Sequence, residues 1–97
     1  MYEITSSIYL ELAERLVSEI GDREFYSGAV VCYDGEVRCR FVATLIVRRG
    51  EVLHNDRRVR AIVGIVPVWW EFEASVGEEV VEDDFAFEEL RDTIIAK

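Results

Sequence analysis

The sequence predicts an α+β fold: a helix, an antiparallel β-hairpin, a third strand and a C-terminal helix. The expected sheet is antiparallel, three- to four-stranded and covered by helices. Three observations predict it. Apolar residues recur every four positions near the start of the 97-residue chain, alternate at period two through its middle, and return to helical spacing near its end. At this length residues 1–97 make one α+β domain with one core. A chain that is 51% hydrophobic and 32% charged has the balance of a globular protein rather than a disordered one.

The first helix follows from Ile4, Ile8, Leu12, Leu16 and Ile20, joined by Ala13 and Val17 in one apolar stripe. Thr5 or Ser6 can cap its start, and Gly21 suits a left-handed stop. Glu11, Arg15 and Glu19 lie one turn apart on the polar side.

The hairpin follows from Asp34-Gly35, a two-residue loop signal between β-rich runs, Tyr26 to Tyr33 and Glu36 to Val47. That loop sets Cys32 against Val37 and Val30 against Cys39. The two cysteines are then diagonal neighbours about 7–8 Å apart, beyond the about 3.5–4.5 Å that a disulfide spans between Cβ atoms. Two reduced, buried thiols are expected. On the second strand Val37, Cys39, Phe41, Ala43, Leu45 and Val47 make an apolar face. Arg38, Arg40, Val42, Thr44, Ile46 and Arg48 make the other, with arginine at both ends and β-branched residues between.

Arg49-Gly50 suits a bulge or turn, and His54-Asn55-Asp56 a loop. Residues 57–66 have two readings, a short helix or a β-branched strand. Pro67 inside a long strand is awkward, which favours a short helix or turn. A strand from Pro67 to Ala74 then puts Val68, Trp70, Phe72 and Ala74 on the core face, and Trp69, Glu71 and Glu73 on the other. Gly77 marks a loop. Asp84 suits the N-cap of a second helix, Phe85 to Ala96, with Phe87, Leu90, Ile94 and Phe85 as its apolar stripe.

The longest uncharged apolar run, Ala61 to Trp70, is about half of what a membrane span needs. The opening MYEITSSIYLELAERL has no basic n-region, so no signal peptide is expected and the cytoplasm is the expected location. No membrane partner follows.

Few catalytic constellations are available. One histidine, His54, and two strand cysteines do not have zinc-ligand spacing, so no metal site is expected. There is no phosphate-binding glycine loop and no nucleophile elbow. Glu78-Glu79 and Glu88-Glu89 read as exposed rather than as an acid/base pair. A noncatalytic protein is expected, with no cofactor and no small-molecule substrate.

The net charge of −9 is unevenly spread. Residues 36–60 hold seven arginines against three acids, while residues 71–92 hold ten acids and one base, Arg91. The overall sign argues against nucleic acid as a nonspecific partner. The distinctive surface is therefore Trp69 with Arg38, Arg40, Arg48, Glu71 and Glu73, because tryptophan and arginine are enriched at interface hot spots. Two internal arrangements compete with that reading. The second helix can pack over Trp69, and the arginines can pair across strands with Glu71 and Glu73. The expected function is a small protein-interaction domain that self-associates or binds a protein partner. One alternative is an acidic decoy of nucleic acid, in which Glu78, Glu79, Glu82 and Asp83 capture a basic protein. A further alternative is local polyanion binding by the arginine-rich segment 38–60.

Several short stretches carry a resemblance: Ile20-Gly21-Asp22-Arg23, Tyr26-Ser27-Gly28, Val66-Pro67-Val68-Trp69-Trp70-Glu71-Phe72, and Asp84-Phe85 with Phe87 and Leu90. In these the chain resembles a group of small, acidic, uncharacterised proteins of gut Bacteroides bacteria, some encoded near mobile elements. The resemblance implies a bacterial cytoplasmic protein with a role linked to mobile DNA, and no site residues.

Overall fold

The computed structural model describes residues 1–95. The chain runs α1 (Ser6–Ile20), β1 (Phe25–Asp34), β2 (Val37–His54), β3 (Arg57–Val76), β4 (Glu79–Val81) and α2 (Phe87–Ile95). The expected α+β arrangement is present. The strands form one antiparallel sheet in the order β1-β2-β3-β4.

Helix α1 buries Ile8, Leu12, Ala13, Leu16 and Ile20, the stripe that its spacing dictates. The Thr5 hydroxyl accepts from the Ile8 amide, and Gly21 ends the helix at φ 58°. Arginine side chains bind the carbonyls around the end of the helix. Arg23 donates through Nε to the Ile20 carbonyl and through its terminal nitrogen to the Glu19 carbonyl. Arg49 donates to the Gly21 carbonyl at 2.6 Å and to the Arg23 carbonyl at 3.1 Å.

The β1–β2 hairpin differs from expectation in register. Asp34 pairs with Val37, so the loop is Gly35-Glu36, and Cys32 lies directly opposite Cys39. Gly35 takes φ 58°, whereas neither Asp34 nor Glu36 is among the positive-φ residues. That is the II′ pattern, with glycine first. An Asp-Gly I′ loop requires positive φ at Asp34 as well. The two-residue slip preserves parity, so every core-face assignment on β2 survives it. Both cysteines are free and buried, as expected. Burial, with Cys39 nearby, pushes the Cys32 thiol up to about 12.

Residues 57–66 are strand, not helix. They continue β3 opposite the far half of β2, from Arg57 across from His54 to Val66 across from Ile46. β-Branched side chains dominate the segment, and a long partner strand is there to receive it. Pro67 is accommodated because it pairs with Leu45 at a register shift between Thr44 and Leu45. Only Ala74–Val76 of β3 pair with β4, so Pro67 has no strand on its other side to supply with a hydrogen bond. The shift makes Val68 the extra residue, and it is exposed rather than core. A second shift, between Arg48 and Arg49, makes Val63 of β3 the extra residue, so the irregularity lies opposite Arg49-Gly50 rather than in it, and those two residues stay paired.

The fourth strand of the expected three- to four-stranded sheet is β4, in the stretch after Gly77 that reads as a loop. Asp84 does not cap α2, which starts at Phe87. Its carboxylate accepts instead from the Ile4 amide at 2.7 Å, and the Asp83 carboxylate accepts from the Phe85 amide. The expected helix end at Ala96 lies outside the described residues. An aromatic group joins α2 to the sheet: Phe85 stacks on Phe72 at 4.2 Å, and Phe87 stacks on both Phe41 and Trp70. Tyr9 ties α1 to this group by accepting from the Ala86 amide. No helix among the described residues is long and apolar enough to cross a membrane.

Candidate interaction surface

Both helices lie on one face of the sheet. α1 packs on β1 and α2 on β3, and the two helices touch each other. Helix α2 therefore does not cover Trp69. It covers the side that carries Phe41, Phe72 and Trp70. Trp70 is on the core face as expected, but its indole is 39% exposed, because the aromatic group lies at the margin of the helical cover. Trp69, on the opposite face, is 50% exposed.

That opposite face is open. Its residues fall in rows across the strands: Val31, Arg40 and Glu73; Ala29, Val42 and Glu71; Ser27, Thr44 and Trp69; Phe25, Ile46 and Val66. The row nearest the start of β1 is wholly apolar, and its Phe25, Ile46 and Val66 are exposed, as is Trp69 in the next row. The Ser27 and Thr44 hydroxyls bond to each other at 3.0 Å between them.

The six residues singled out from the sequence all lie on this face. Arg38, Arg40 and Arg48 lie along β2, and Trp69, Glu71 and Glu73 along β3. Arg40 and Glu73 are directly opposite. The expected internal pairing is nevertheless absent. Among the described residues no ion pair joins these arginines to these glutamates; the pairs Arg15–Glu11, Arg58–Glu51 and Arg91–Asp92 lie elsewhere.

A second feature was hidden in the sequence. Beyond the Phe25–Ile46 pair, where β1 begins, β2 and β3 continue as a two-stranded arm. Its tip is the Asn55-Asp56 turn, with φ 51° and 62°, the I′ geometry that asparagine and aspartate tolerate. The molecule measures 47 × 25 × 18 Å, the elongation that an arm of this kind gives. Arg49 fixes the arm's base through its bonds to the end of α1. A cleft of about 230 Å³ between the helix ends and the arm is lined by Arg49, Arg60 and Ile94 among others. The arm was illegible because residues 57–66 alone do not distinguish strand from helix.

Among the described residues no group of three or more His, Cys, Asp or Glu side chains is placed to hold a metal ion. No family model, curated protein or solved structure matches the chain.

Proposed function

We propose that the protein is a noncatalytic interaction domain whose open sheet face binds a second copy of itself. The observation that carries this reading is the exposure, on one sheet face, of the apolar row Phe25, Ile46 and Val66 together with Trp69, beside arginines and glutamates that form no ion pair with one another. Monomeric proteins rarely leave a contiguous apolar patch of this kind uncovered.

The face is self-complementary. A two-fold axis between two facing sheets, running along the β2–β3 seam, sets each β2 side chain over its row partner from β3 of the other copy. Arg40 then meets Glu73, Ile46 meets Val66, and Trp69 lies over the Thr44 row. Each pair occurs twice, as isologous symmetry requires. The overlap of two strands ten residues long covers about 34 × 10 Å before side-chain relief. That is smaller than the about 800 Å² per partner of a standard interface, so the association is a weak, concentration-dependent one. Facing sheets cross at about 30°, so the two arms diverge from the body.

A charge swap tests the pairing. Arg40→Glu is expected to weaken self-association in sedimentation velocity by at least tenfold, and Arg40→Glu with Glu73→Arg to restore it. Self-association that ignores both changes contradicts this arrangement.

A further inference from the structure

We propose that the β2–β3 arm is a DNA-contacting element: it enters the major groove of a B-form duplex and holds the flanking phosphates through arginines on both faces of the ribbon. This does not depend on the dimer.

The first support is charge segregation. Residues 48–60 contain Arg48, Arg49, Arg57, Arg58 and Arg60 against Glu51 and Asp56, a net +3, while the rest of the chain carries −12 to make −9. The fold projects this basic segment out of the acidic body. The arm from Arg48 to His54 extends about 20 Å at ordinary strand rise. That is twice a Debye length at moderate salt, so duplex held at the tip is largely screened from the acidic body.

The second support is the placement of the bases. Strand alternation puts Arg48 and Arg57 on the open side of the ribbon, and Arg58 and Arg60 on the helix side. Residues 51–60 are all exposed. A flat acidic protein surface meets one side of a ribbon, whereas a groove presents a phosphate backbone to each side. The B-DNA major groove is about 12 Å wide and admits a two-stranded ribbon. All five bases are arginines, the side chain whose planar fork suits phosphate.

The third support is the apolar tip. Leu53 is 75% exposed on the helix side of the ribbon, next to the turn-closing His54, and Val52 and Val59 form an exposed cross-strand pair on its other side. These side chains have no core to fill. In a groove they lie against base edges and thymine methyls.

The test is fluorescence anisotropy of a labelled B-DNA duplex with the whole protein at low and at physiological salt. Binding is expected at low salt and is expected to fall steeply as salt rises. Arg57→Gln, Arg58→Gln and Arg60→Gln together should weaken it by about tenfold or more and lower the salt slope by about 0.9 per lost contact. Arg15→Gln with Arg91→Gln, on the helices, should leave it unchanged. Unaltered melting of the triple variant is expected, because its three sites are exposed. No binding at low salt, or equal binding by the triple variant, overturns the proposal. So does capture of polyglutamate in place of the duplex, which identifies an acidic protein as the partner. Equal affinity for duplex RNA, whose major groove is too narrow to enter, overturns groove insertion.

Discussion

Leu45 and Ile46 are neighbours on β2 with nearly the same side-chain volume. Leu45 is 1% exposed and Ile46 is 42% exposed. The same contrast runs the length of the sheet. On one face Cys39, Phe41, Ala43, Leu45 and Val47 lie under two helices. On the other, Val42, Ile46, Val66 and Trp69 are as apolar in kind but have no cover within the chain. Strand alternation explains which residue falls on which face. It does not explain why the second face retains apolar residues. A face meant only for water reaches the same fold with polar side chains at those positions. The apolar content of the covered face belongs to folding; on the proposed function, that of the open face belongs to binding.

The largest effect that sharpens this contrast is on the covered face. Phe41→Ala removes a fully buried ring that stacks on Trp70 and Phe87. It is expected to cost about 3–5 kcal/mol in chemical denaturation. Leu45→Ala should cost about 2–5 kcal/mol. Ile46→Ala, one residue along, should cost under about 1 kcal/mol at concentrations where the protein is monomeric, because less area leaves water on folding. Equal losses at Leu45 and Ile46 in dilute protein would erase the distinction between the faces.

Alkaline pH probes the covered face again, with an effect that is spread over several pH units. Burial pushes the Cys32 thiol up to about 12, and burial with Glu19 nearby does the same to the Tyr26 hydroxyl. An unfolded thiol ionises near 8.5. The stability contributed by a neutral Cys32 is therefore complete below about pH 8.5 and is lost as pH rises toward about 12. Denaturation midpoints should fall across this window, by up to about 1.4 kcal/mol per pH unit for the thiol, and Cys32→Ala should flatten the fall. The helix cap comes last. Thr5→Ala should cost about 1 kcal/mol without touching self-association.

How much of this was legible in the sequence follows from parity and register. Period-two alternation assigned Cys39 through Val47 to the core even though the hairpin loop was placed one residue early, because a slip of two residues returns each side chain to its own face. Alternation places Val68 on the core face because the bulge beside Pro67, which breaks that alternation, leaves no mark in hydrophobicity. Residues 57–66 read as a short helix or turn because their partner is the far half of β2, a contact that local pattern does not contain. The six open-face residues were located correctly by alternation. Their freedom from intramolecular ion pairs is a matter of side-chain geometry, and the charge pattern alone allows the arginines to pair across strands with Glu71 and Glu73. That α2 shares a face with α1, which leaves Trp69 open, is a property of the whole chain path.

Size-exclusion chromatography with light scattering on wild type and Trp69→Ala, at low and high salt, tests the central claim most directly. A wild-type dimer that the still-folded variant loses is the predicted result. A wild-type monomer under every condition would contradict it.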